Sequence, residues 1–146
     1  MTTVIRVIAP SGRRGITIAP IAVAAGWPSP AQDYFSGDFD LNEQLIQDVD
    51  ASYIVRVSGD SMLRAGISHG DELIVDRSIT AKHGDVVVAI LDGEMTIKRL
   101  EYALVNGERR LWLRSENPNY PDIHPSPESD VQIWGVATFC LHHLHD

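Results

Sequence analysis

A single cysteine, Cys140, occurs in a chain of 146 residues. That excludes an internal disulfide framework and any cysteine-rich zinc site. No apolar run approaches the ~18 residues that a membrane-crossing helix requires. Cations are scarce: 12 lysines and arginines stand against 20 aspartates and glutamates, a formal charge of −8. Broad electrostatic binding to nucleic acid needs clustered Lys and Arg facing phosphates, so this balance argues against direct DNA contact. Internal repeats and low-complexity tracts are also missing. What remains is ordinary globular composition, 44% hydrophobic and 22% charged, which does not favour wholesale disorder. The length suits one domain with a short appendage. Such a domain buries roughly two-thirds of its unfolded surface and needs no metal to fold.

Residues 1–32 read differently from 33–146. Pro10, Pro20, Pro28 and Pro30 disfavour continuous helix and predict an extended amino-terminal arm. Within it, Ala24-Ala25-Gly26 would make an accessible peptide bond, being small and unbranched. The same stretch has a second reading. Arg6, Arg13 and Arg14 precede an apolar segment from Ile16 to Ala25, as in a secretory signal peptide of an exported β protein. Thr17 and Pro20 interrupt that segment, which also starts far from Met1.

Beyond the arm, Asp40 to Ile46 predicts a short helix with Asp40 as its cap. Strand signals then dominate: Tyr53–Val57, Glu72–Asp76, Asp85–Leu91, Glu94–Leu100, Arg110–Arg114 and Val131–Leu141. Asp92-Gly93 and Asn106-Gly107 are hairpin signals, and Pro118 to Pro127 is a polar, proline-rich loop. The expected fold is mostly β, a small barrel or sandwich. Under strict alternation Ile133, Phe139 and Leu141 share one face of the last strand, with Trp134 and Cys140 opposite. A long unpaired edge of that kind invites a second copy of the chain, and Cys140 there serves packing rather than redox chemistry.

Two residues are candidates for chemistry. Ser58-Gly59-Asp60-Ser61-Met62 follows a strand as a glycine-containing turn. A serine there can point out of the sheet beside free backbone N–H groups, which an oxyanion hole requires; such a turn can equally be only a turn. Histidine would be the usual base, but His69 and His83 sit in turns and His142, His143 and His145 in a solvated tail. Lys98 is the alternative. It alternates with Ile97 and shares a face with Thr96 and Leu100. Buried, it would lose its proton more readily and accept that of Ser61. Exposed, it would only cover apolar atoms with its stem. Spacing alone leaves both open.

The motifs Val57-x-Gly59-Asp60-Ser61-Met62, Gly66-Ile67-Ser68-His69-Gly70-Asp71, Leu73-Ile74-Val75-Asp76, His83-Gly84-Asp85-Val86-Val87 and Thr96-Ile97-Lys98-Arg99-Leu100 follow in order. Together they resemble the self-cleaving domain of LexA-type repressors, a serine–lysine peptidase family. Asn117-Pro118-x-Tyr120 and Val131-x-Ile133-x-Gly135-Val136 match more loosely. The segment before Tyr53 looks too short for a helix-turn-helix domain. Pro28-Ser29-Pro30-Ala31-x-Asp33-Tyr34 and Asp40-Leu41-Asn42-x-x-Leu45-Ile46 instead resemble the arm of UmuD-type proteins of the SOS response.

This resemblance implies roles at the matching positions. Ser61 would be the nucleophile, Lys98 the general base and Ala25-Gly26 the scissile bond, with the amides of Ser61 and Asp60 as the oxyanion hole. It implies no cofactor or metal. It further implies a cytoplasmic homodimer, stimulated to cleave itself by the RecA–single-stranded-DNA filament. The shortened product would then serve a UmuC-like Y-family polymerase in translesion synthesis. A non-cleaving polymerase accessory subunit and an exported protein are the rival readings.

Overall fold

The computed structural model describes residues 3–6, 15–17, 25–28 and 38–145. Its strands in chain order are β1 (Thr3–Arg6), β2 (Gly15–Thr17), β3 (Asp38–Asp40), β4 (Ser52–Arg56), β5 (Glu72–Asp76), β6 (Val86–Leu91), β7 (Glu94–Val105), β8 (Glu108–Arg114) and β9 (Val131–Leu141). Seven form one antiparallel sheet in the order β1-β4-β5-β9-β6-β7-β8, while β2 pairs with β3. The mostly β expectation therefore holds. One short helix, α1 (Leu41–Leu45), starts at Asp40, whose side chain accepts the Asn42 N–H at 3.0 Å, the contact expected of a cap.

Turn chemistry sets the right half of the sheet. Asp92 and Asn106 both take positive φ, 48° and 53°, and each is followed by glycine. That is the backbone of a two-residue hairpin turn, and it aligns β6 with β7 and β7 with β8. β7 continues five residues past Leu100 because the second turn lies only at Asn106. The β-branched run of β6 has no polar alternation because both its faces are covered. Val88 packs with Val55, Leu73, Val75 and Ile97, while Val87 and Ala89 pack with Leu100, Leu113 and Val136. Successive strand residues point to opposite faces, so β6 is a central strand between two cores.

Two irregularities shape β9. Its register slips once against β6 near Trp134 and once against β5 near Thr138, as β-bulges do. Each slip reverses the facing of the residues after it, and together they cancel. Gly135 lies at the first: a Cβ there would stand 2.6 Å from Val75 Cγ1. The sheet also curls on itself. Segments following β4 and β8, strands far apart in sheet order, are joined by Glu116 N–H to Ser61 O (2.8 Å) and Arg64 N–H to Glu116 O (2.7 Å). Those two bonds bring the Ser61 turn against the middle of β7.

Candidate active site

Ser61 lies on a turn pinned from several sides. Val57, the last residue before it, is buried and exchanges backbone bonds with Asp71 (2.8 Å) and Gly70 (2.9 Å). Gly59 takes φ +93°, a conformation that side chains strain. Met62, 2% exposed, plugs the turn into the core beside Val57 and Leu73. A 3-10 turn over Leu63–Ala65 follows. Ser61 itself stays half-buried at the mouth of a cleft of about 150 Å³, walled by Val57–Gly59 on one side and Met95–Lys98 on the other.

Lys98 reaches this cleft from β7. It is 8% exposed, so of the two sequence readings the structure takes the buried one. Its Nζ lies 2.8 Å from Ser61 Oγ, 3.2 Å from Thr96 Oγ1 and 3.0 Å from Ile97 O. Among the described residues no carboxylate pairs with it. Burial therefore acts unopposed and lowers the lysine below its ordinary 10.5, because an ammonium loses more solvation than an amine. A neutral amine at that distance can accept the serine proton.

The backbone nearby supplies unpaired donors. Among the described residues the amides of Asp60, Ser61 and Met62 have no protein partner, whereas Gly59 N–H donates to His69 Nδ1 at 3.0 Å. His69 is thus a turn cap. His83 accepts the Tyr102 N–H (2.9 Å) and lies 3.2 Å from Glu101. Neither histidine bonds to Ser61. The carboxy-terminal histidines are exposed, as expected of a solvated tail, yet two of them have partners: His142 bonds to buried Asp71, and His143 contacts Glu72 at 3.1 Å. Cys140 shares Asp71 at 3.3 Å. Burial, then the adjacent carboxylate, pushes that thiol up to about 11.

Ala25, Gly26, Trp27 and Pro28 are all exposed, and none lines the cleft. A Cβ built at Gly26 meets nothing within 4 Å. Sequence reasoning missed two residues at the Ser61 turn. Glu116 holds it through the main chain, and Asn117 Nδ2 donates to Asp60 O at 2.7 Å. The loose Asn117-Pro118-x-Tyr120 match was the only sequence signal for Asn117, and Glu116 had none. A larger cavity of about 550 Å³ is lined by the stacked Trp112 and His124 and by none of Ser61, Lys98, Glu116 or Asn117. Among the described residues, no helix is long and apolar enough to cross a membrane.

Known proteins match this sequence over most of the chain. The family described as peptidase S24-like matches residues 17–138. Protein ImpA of Salmonella typhimurium is 39% identical over 122 residues, 84% of this chain and 80% of ImpA. Protein MucA of Escherichia coli is 42% identical over 120 residues, 82% of this chain and 79% of MucA. The LexA repressor of Streptomyces clavuligerus is 37% identical over 133 residues, 90% of this chain but 52% of the repressor. The resemblance read from the ordered motifs is thereby borne out, and the chain belongs to the peptidase S24-like family.

Proposed function

We propose that this chain is a UmuD-type SOS protein that cleaves its own arm, residues 1–32, at Ala25-Gly26 with the serine–lysine pair of domain 33–146. The observation that carries the reading is the 2.8 Å contact between Ser61 Oγ and a buried Lys98 without a carboxylate partner. The arm enters the cleft in extended form. Small residues at 25 and 26 let the backbone carbonyl approach Ser61. Neutral Lys98 takes the Ser61 proton as Oγ bonds to the Ala25 carbonyl carbon. The resulting oxyanion is met by the free amides of Ser61 and Asp60. The ammonium of Lys98 returns the proton to the Gly26 nitrogen as the C–N bond breaks. Water, deprotonated by the same amine, then releases the Ala25 acid and regenerates the serine.

The partners belong to the same reading. β9 is not the unpaired edge expected from the sequence, since β5 and β6 both pair with it; the homodimer contact is made instead by its exposed side chains Phe139 and Leu141, 44% and 38% exposed. A RecA–single-stranded-DNA filament drives the arm into the cleft, and desolvation there further favours the neutral base. The cut form, cytoplasmic, joins a UmuC-like Y-family polymerase, so DNA is met through partners and not directly. The test is the rate of self-cleavage without RecA from pH 7 to 10. It rises with pH in the wild type and is lost in Ser61→Ala, Lys98→Ala and Lys98→Arg, since a guanidinium stays protonated. Near-normal cleavage by Lys98→Ala refutes the pair. A wild type that is never cut, and that Ser61→Ala leaves unchanged, is a non-cleaving accessory subunit.

A further inference from the structure

Ser61 and Lys98 are 37 positions apart, on elements that share no strand pairing. Something must fix their separation, and the bonded groups around them close a ring. Arg99, next to Lys98 on β7, donates from Nε to Glu116 Oε1 at 2.7 Å and from NH1 to Gly84 O at 2.6 Å. Arg114 NH2 donates to the same Glu116 oxygen at 2.7 Å. The Glu116 main chain then takes both sides of the Ser61 turn, donating to Ser61 O (2.8 Å) and accepting from Arg64 N–H (2.7 Å). Asn117 completes it: Nδ2 donates to Asp60 O (2.7 Å), while Oδ1 accepts the Asn119 N–H (3.0 Å), which fixes the amide's orientation. The path runs from Lys98 through Arg99, Glu116 and Ser61 back to Lys98.

We infer that Glu116 and Asn117 are positioning residues for the nucleophile, holding the Ser61 turn at the register where Oγ meets Lys98 Nζ. This rests on the serine–lysine reading above. Neither side chain bonds to Oγ or Nζ, so both act through the main chain of residues 60, 61 and 64. The two guanidiniums hold the Glu116 carboxyl below its usual range, Arg99 foremost, so the carboxylate stays ionised and bound to β7 across the pH range of the reaction. Asn117 contributes geometry only. Displacing a reacting group by about 1 Å costs on the order of 10²-fold in rate.

The experiment compares full-length wild type with Asn117→Ala, Glu116→Ala and Glu116→Gln. Self-cleavage without RecA is followed from pH 7 to 11, and crystal structures give the Ser61 Oγ–Lys98 Nζ separation. Asn117→Ala and Glu116→Ala are expected to lower the alkaline plateau about 10²-fold with the midpoint of the rate–pH curve unmoved. Their Ser61 Oγ is expected beyond hydrogen-bond reach of Lys98. Glu116→Gln, which retains an acceptor for Arg99, falls between. An unchanged plateau with only a lower melting temperature means a merely structural role and overturns the inference. So does a shifted midpoint with a normal plateau, which would mean electrostatic action on Lys98. If the wild type is uncut at every pH, the serine–lysine reading falls, and the crystallographic separation decides the positioning alone: an unmoved Ser61 overturns it.

Discussion

Lys98→Met separates the charge of the buried amine from its packing. Methionine follows the lysine stem and leaves no ammonium. The side chain is 8% exposed and its three partners are two hydroxyls and a carbonyl. Losing those bonds costs about 1 kcal/mol each, offset by removal of the buried polar group. These contributions displace the stability curve vertically. The charge contributes a slope. Lys98 is lowered by burial from 10.5, so between its folded pKa and 10.5 the unfolded chain binds more protons than the folded one. Stability of the wild type therefore rises with pH through that window, by up to about 1.4 kcal/mol per pH unit. The variant lacks this slope, and every other titrating group is common to both proteins. Urea unfolding at pH 7, 8, 9 and 10 should show the variant's relative stability greatest at pH 7 and declining toward pH 10.5. A stability difference independent of pH would refute the reasoning. A difference that moves the other way would mean the site stabilises an ammonium, which cannot serve as the base.

Gly135→Ala should destabilise the fold by about 1–3 kcal/mol in urea unfolding, because its Cβ would meet Val75 Cγ1 at 2.6 Å; an unchanged midpoint would show that β5 and β9 separate freely there. With its thiol near 11, Cys140 should hold only about one thiolate per thousand at pH 8, so iodoacetamide should alkylate it far more slowly than an unperturbed cysteine near 8.5. Equal rates in mass spectrometry would contradict that environment. Phe139→Asp, at a position 44% exposed, should leave the monomer folded by circular dichroism and abolish dimers in sedimentation. Dimers that persist would move the contact elsewhere.

Local chemistry made much of this fold legible. The limits of β5 and β9 match the strand signals, since turns bound both runs. Strict alternation placed Ile133 apart from Trp134, and they pack against different core clusters; it placed Phe139 apart from Cys140, and their ladder partners Ile74 and Leu73 agree. It failed between the bulges, where Val136 joins the face of Ile133, because an inserted residue leaves no mark in a hydrophobic pattern. Pairing of Thr3–Arg6 with β4 was not legible either; a short edge strand carries little signal of its own. At the site, residue types and order named Ser61 and Lys98, but their contact depends on how the sheet curls. Spacing gave no hint that Glu116 and Asn117 brace the Ser61 turn, since those bonds span more than fifty positions. Nor did it show that His69 caps Gly59. Both are consequences of tertiary proximity alone.

Self-cleavage at one bond is most directly read by intact mass. The purified full-length protein is incubated with RecA, ATP and single-stranded DNA, beside Ser61→Ala and Gly26→Asp. The wild type should yield a product beginning at Gly26, and neither variant should yield any. A product beginning at another residue, or one that persists in Ser61→Ala, would contradict cleavage of Ala25-Gly26 by Ser61.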